Sequence, residues 1–321
     1  MEIREIVIPI IVAFLMTVII APLFIPVLKR MKFGQEIREE GPKAHYKKAG
    51  TPTMGGIIFL LSLTLVSVTF APRNVELFML LFATLGYGLL GFLDDFIKVA
   101  YKRNLGLTAK QKLFGQLVIA GVLYWVLVQS GLSTTLHVPG TNWSVDLGWL
   151  YLPFLILIML ASTNATNLTD GIDGLLSGTA SIAFGAFALI GLYYSNYTVT
   201  LFSVAVIGAL LGFLVFNAHP ARVFMGDTGS LALGGGLAMA AVLTKTELAL
   251  VVIGGVFVIE TLSVMLQVLS FKLRGKRIFR MSPIHHHFEL VGWSEWRVVT
   301  TFWSIGFLFA ALGLLWIGVR M

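Results

Sequence analysis

The stretch NATNLTDGIDGL, Asn164 to Leu175, places two Asn, two Thr, two Asp and two Gly in twelve residues, between the apolar runs Leu150 to Ala161 and Leu175 to Leu192. Carboxylates between apolar runs are costly unless they are used or solvated. On a helix Asp170 and Asp173, three apart, share a face, while Gly171 and Gly174 let backbone or ligand come close. Two hard oxygen donors on one face suit a divalent cation or a string of hydroxyls. A polar turn between two helices with a capping Asp reads the same residues equally well.

The flanking runs decide the fold class. Of 321 residues 57% are apolar and only 12% charged, with a mean hydropathy of +0.88, whereas soluble domains carry about a quarter charged residues. The composition is that of an all-α integral membrane protein. Runs of roughly 17 to 25 apolar residues span a bilayer, and ten are expected, near 6–28, 54–70, 76–93, 113–130, 149–163, 175–193, 198–216, 229–243, 248–270 and 298–319. The fifth and eighth are short and need tilt or protein-lined ends. With no repeat and no flexible linker, residues 1–321 read as one polytopic domain.

The absence of cysteine excludes disulfides, thiolate catalysis and Cys-ligated zinc. Lys29, Arg30 and Lys32 follow the first run without a small-residue cleavage site, which reads as a retained helix with its N-terminus outside. Threading ten helices then puts both termini outside and loops 29–53, 94–112, 164–174, 217–228 and 271–297 in the cytoplasm. Those loops hold 19 of the 23 Lys and Arg residues, the asymmetry expected of cytoplasmic loops. The net charge of +7 thus needs no nucleic acid; membrane lipid headgroups or an anionic substrate account for it. On the outside, the β-branched residues around Pro139-Gly140-Thr141-Asn142 predict a small extracytoplasmic β-hairpin, with His137 solvated or interfacial.

The polar motifs gather at one side of that topology. In KKAGTPTMGG, Lys47 and Lys48 precede Gly55-Gly56 at the start of the second helix, where free N–H groups make a phosphate cradle one reading and simple positive-inside charge the other. GFLDDFIK ends the third helix with Asp94 and Asp95, and Lys98 follows at four and three residues. Neighbouring helical side chains diverge by about 100°, so one carboxylate is expected to bind while the other orients a lysine. Lys110 and Lys112 add charge nearby. FNAHPARVFMGDTGS offers oxygen donors at Asn217, Asp227 and Thr228 and a flat face at Phe224, a set suited to stacking a base and holding a metal; His219 reads as a helix cap. In SPIHHHFELVGW the three histidines project in different directions, which disfavours a three-His zinc site and suits donors to phosphate. Glu260 and Gln267, seven apart, share a face of the ninth helix, with Glu260 read as a buried, paired or protonated acid.

TPTMGG, GFLDDFIK, NATNLTDGIDGL, FNAHPARVFMGDTGS and SPIHHHFELVGW, in this order, resemble the phospho-N-acetylmuramoyl-pentapeptide transferases, within the polyprenyl-phosphate N-acetylhexosamine-1-phosphate transferases. The resemblance runs from Lys47 to Trp293. It implies a homodimer in the bacterial cytoplasmic membrane and an Mg²⁺-dependent transfer of phospho-MurNAc-pentapeptide from UDP-MurNAc-pentapeptide to undecaprenyl phosphate. By motif position, Asp227 would ligate Mg²⁺, and Asp94, Asp95, Asp227 and His286 would form the reacting set. Phe224 would stack on uracil, and Lys48, Asn167, Asp170, Asp173 and Asn217 would line the nucleotide pocket. Lys98 and Lys110 would bind substrate, with His285 and His287 near the pyrophosphate or sugar. A GlcNAc-1-phosphate transferase on the same scaffold is told apart by the UDP-sugar consumed. A secondary transporter of an anionic solute would instead place its polar site near mid-membrane.

Overall fold

The computed structural model describes residues 2–30, 50–101 and 105–318. Each of the ten expected apolar runs is helical: α1 (Ile3–Arg30), α2 (Gly56–Phe70), α3 (Val75–Ala100), α4 (Ala109–Gln129), α5 (Tyr151–Thr169), α6 (Leu175–Tyr193), α7 (Tyr197–Asn217), α8 (Gly226–Leu243), the pair α9 (Glu247–Ile253) and α10 (Gly255–Arg274), and α12 (Glu295–Ile317). A short α11 (Ile284–Val291) lies between the last two. Eight of the helices are long and apolar enough to cross a membrane. α2 has only 15 residues, and α8 dilutes its apolar content with glycine. The run expected as a single ninth helix is broken at Gly254-Gly255, a pair that lowers the cost of a kink.

Between α4 and α5 the expected hairpin is present. β1 (Thr135–His137) pairs antiparallel with β2 (Ser144–Asp146), Leu136 opposite Val145. It caps the end of the bundle away from Asp94, Asp170 and Asp227, because α4 and α5 each run the bundle's length between the two ends.

The interior is built on α7 and α8, whose faces are buried nearly all round, while α1 shows most of its apolar surface outward. Helices in lipid associate through close packing rather than hydrophobic exclusion, which favours small residues at crossings. Two crossings set the site. A Cβ on Gly91 of α3 would stand 2.0 Å from the Asp227 carbonyl oxygen, and one on Gly56 of α2 would stand 2.4 Å from the Gly229 nitrogen. The start of α8 is therefore seated directly on the backbones of α2 and α3.

Candidate active site

The acidic end of the bundle is assembled from the C-terminal ends of α3 and α5 and the N-terminal ends of α4 and α8. Asp94 and Asp95 stand next to one another on the last turns of α3, both about 4% exposed, and they do different work as their 100° divergence predicts. Asp95 Oδ2 accepts from the Thr228 N–H at 2.9 Å and from Thr228 Oγ1 at 2.8 Å, so it caps the first turn of α8 from outside that helix. Asp94 turns the other way. Its Oδ1 accepts from the Leu107 N–H at 2.9 Å and its Oδ2 lies 2.6 Å from Lys98 Nζ.

Gly226 makes the approach possible: its φ is +75°, and a Cβ there would collide with Asp95 Oδ2 at 2.6 Å and Thr53 Oγ1 at 2.8 Å. The next residue, Asp227, is the hub. Lys98 Nζ lies 3.1 Å and Lys112 Nζ 3.2 Å from its Oδ2, and Asn167 Nδ2 donates to Oδ1 at 2.8 Å. Asn167 donates also to Ser230 Oγ at 2.9 Å, joining α5 to α8. Asp170 follows at the C-terminal cap of α5. Burial pushes its carboxyl up to about 8; the Asp227 and Asp95 charges add to the rise and the Gly226 N–H opposes it. Asp94, Asp95 and Asp227 each present an oxygen within 4.8 Å of the others.

A second polar cluster lies beside the first. Buried Asp173 accepts from the Ala221 N–H at 3.0 Å and meets His219 Nδ1 at 3.1 Å, while the same Nδ1 is 2.7 Å from Glu295 Oε2 at the start of α12. His219 thus does not cap α7; it bridges two carboxylates from different helices. Asn217 is buried and uses both halves of its amide, accepting from Ser177 Oγ at 2.7 Å and donating to the Val223 carbonyl at 3.1 Å. It shapes the 218–225 loop rather than presenting a free group. Phe224 is half-buried, its backbone pinned between the Pro52 carbonyl and the Gly55 N–H.

Several expectations need correction. Lys110 is exposed at the start of α4, and Lys112 is the residue that reaches Asp227. Two positions on a helix differ by about 200°, so only one of the pair faces α3. The start of α2 has no free N–H cradle at its glycines: Gly55 and Gly56 donate to the Phe224 and Met225 carbonyls at 2.8 and 2.9 Å. His285 is fully buried between Glu260 and Gly171 and presents no exposed surface. His286 is half-buried with Nδ1 2.7 Å from Glu289 Oε2, and His287 Nδ1 accepts from the Arg280 N–H at 3.1 Å. The three histidines thus have three separate partners. Lys48 lies outside the described residues.

The sequence named Lys112 and Thr228 but not their partners, Asp227 and Asp95, and it gave no sign of the His219–Glu295 contact. For Lys112 a signal was present. Thr108 and Gln111 form a reciprocal capping box, Thr108 Oγ1 accepting from the Gln111 N–H at 3.3 Å and Gln111 Oε1 from the Thr108 N–H at 3.0 Å. That motif fixes where α4 begins, though not which face meets α3.

Comparison with known proteins agrees with the motifs. The glycosyl transferase family 4 profile matches residues 77–245, and signature 1 of phospho-N-acetylmuramoyl-pentapeptide-transferase matches residues 48–60. The phospho-N-acetylmuramoyl-pentapeptide-transferase of Geobacillus thermodenitrificans is 66% identical over 313 residues, 96% of this chain and 97% of the relative. Proteins of the same name from Bacillus velezensis and Oceanobacillus iheyensis are 63% and 61% identical, covering 95% and 98% of this chain and the same shares of their own lengths.

Proposed function

Because the chain belongs to the phospho-N-acetylmuramoyl-pentapeptide transferases, we propose that it transfers phospho-MurNAc-pentapeptide from UDP-MurNAc-pentapeptide to undecaprenyl phosphate. UMP and lipid I, the membrane-bound precursor of peptidoglycan, are the products. The observation that carries the site assignment is the convergence on Asp227 of Lys98, Lys112 and Asn167 from three other helices.

Phosphoryl transfer asks a protein mainly for position and charge neutralisation. Asp94, Asp95 and Asp227 fit a hard divalent cation, since each offers a carboxylate oxygen to a common point. Asp227 would be the principal ligand, giving up its Lys98 and Lys112 contacts to the ion, while Asp95 keeps one oxygen on Thr228. Mg²⁺ bound there supplies charge neutralisation to the phosphoryl oxygens.

The chain's own residues do the rest. Asp94 holds the Lys98 ammonium at 2.6 Å and so aims it at the entering lipid phosphate. Lys112 offers a second ammonium to the same oxygen of Asp227, at 3.2 Å. A phosphomonoester has its second pKa near about 6, so at neutral pH the attacking oxygen is mostly ionised and needs no strong base. That oxygen attacks the β-phosphorus of the UDP-sugar; the new P–O bond forms as the bond to the bridging oxygen breaks, and UMP leaves with the electron pair. Phe224 would stack on uracil, with Asp170 and Asp173 lining the nucleotide pocket.

The same reading takes all ten apolar runs as membrane spans, with the acidic end in the cytoplasm where a soluble nucleotide meets a membrane-bound phosphate; the loop charges support that orientation. Assembly as a homodimer is open to cross-linking in the membrane. The deciding assay supplies purified protein with UDP-MurNAc-pentapeptide, polyprenyl phosphate and Mg²⁺ and measures UMP. D227N is expected to abolish release, and undiminished release removes the metal assignment. Consumption of UDP-GlcNAc instead identifies the neighbouring branch. A phosphorylated protein trapped with the UDP-sugar alone overturns direct attack.

A further inference from the structure

Glu260 is fully buried on α10, far along the chain from every carboxylate of the site. Its Oε2 meets Nδ1 of His285 on α11 at 3.0 Å, and that imidazole is also fully buried. Neither oxygen of Glu260 and neither ring nitrogen of His285 completes a hydrogen bond among the described residues. Among the described residues, each group is therefore the only polar compensation for the other. An acid in such a place costs more than an apolar side chain of equal volume, so packing alone gives no reason for it.

Geometry supplies one. The far edge of the imidazole is pressed on Gly171, where a Cβ would fall 2.1 Å from Nε2 and 2.7 Å from Cε1. Gly171 lies between Asp170 and Asp173, in the turn that joins the two polar clusters. Two turns along the same face of α10, Gln267 Oε1 accepts from the Ile278 and Phe279 N–H groups at 2.9 and 3.0 Å, and its Nε2 donates to the Phe279 carbonyl at 2.9 Å. α10 thus grips the segment leading into α11 at two points, one at Ile278 and Phe279 and one at His285.

Resting on the function proposed above, we propose that Glu260 is a positioning residue for the transfer: it seats His285 against Gly171 and thereby holds the Asp170–Asp173 turn in the shape that receives the uridine nucleotide. Glu260 touches no substrate. Its effect passes through the imidazole to the backbone of the turn, so it acts on the nucleotide and not on the lipid.

The test uses full-length protein in detergent with the lipid acceptor, and UMP as the binding probe. Wild-type UMP binding and UMP release are measured first; if both are absent, the proposed function fails before Glu260 is touched. E260Q keeps the side-chain volume and removes the charge. It is expected to raise the KM for the UDP-sugar and the Kd for UMP at least tenfold, with the KM for lipid phosphate within twofold of wild type. A merely destabilised protein would lose active fraction and leave both KM values alone. G171A is expected to show the same selective loss, and the E260Q/H285Q double variant to be no worse than H285Q. Wild-type UMP affinity in E260Q overturns the proposal, as do additive losses in the double variant. An equal rise in both KM values does so too.

Discussion

Replacing Gly91 by alanine tests whether the approach of α3 to α8 builds the site. A Cβ at that position would stand 2.0 Å from the Asp227 carbonyl oxygen, 2.4 Å from its carbonyl carbon and 2.7 Å from the Thr228 nitrogen. All three are backbone atoms, which cannot swing aside as a side chain does. Restoring ordinary contact requires the two helices to part by about 1.4 Å. Overpacking of this kind costs about 1–3 kcal/mol of stability. Its catalytic effect is larger, because the movement separates Asp94 and Asp95 from Asp227, and a misplacement of about 1 Å costs about a hundredfold in rate. G86A is the control on the same helix: its Cβ would meet only the Ile119 side chain, no nearer than 3.5 Å. UMP release and thermal unfolding in detergent are measured for both. G86A is expected within twofold of wild type, and G91A about a hundredfold down in kcat while still folded. Wild-type kcat in G91A would refute the claim that this crossing sets the carboxylate geometry.

Lys112 and Lys110 separate the structural reading from the residue-type reading: K112A is expected to lower kcat/KM about tenfold or more, and K110A, changing an exposed charge, to leave it within twofold; the UMP assay decides. T228A removes the buried hydroxyl donor 2.8 Å from Asp95 and is expected to cost about 1.5–3 kcal/mol, read as a lowered unfolding temperature and absent in a D95N background if the cap is real. In the hairpin, Thr134 Oγ1 and the Gly148 N–H hold Asp146 below the usual carboxylate range. A depressed folded-state pKa contributes stability above the unfolded pKa and loses it as pH falls through the folded one, so the hairpin loosens in acid. D146N should reproduce that loosening at neutral pH, followed by fluorescence of Trp143 between the strands.

Much of the architecture was legible because a bilayer leaves few choices. Runs of apolar residues long enough to cross must be helical, and the boundaries of α4, α6 and α7 fall close to the composition shifts that predicted them. The hairpin was legible for a local reason too, since β-branched residues flank a Pro-Gly turn. The ninth run was less so: Gly254-Gly255 permits a break, but the Phe309 ring of α12, which lies within 2.5 Å of where a Gly255 Cβ would be, is a tertiary fact.

The acids of the site could be named from motifs, and their division of labour could not. Composition and motif determined that this chain is a helical membrane protein, that its polar residues belong to one end, and which family it resembles, because hydropathy and residue type are properties of the chain itself. Only the folded arrangement decided that Lys112 rather than Lys110 meets Asp227, that Asp95 caps α8 while Asp94 orients Lys98, that Gly55 and Gly56 spend their N–H groups on the 224–225 backbone, and that His285 is locked behind Gly171. Each depends on which face of one helix meets which end of another. That choice is made by the packing of glycine-lined crossings far apart in the sequence, where no local pattern records it.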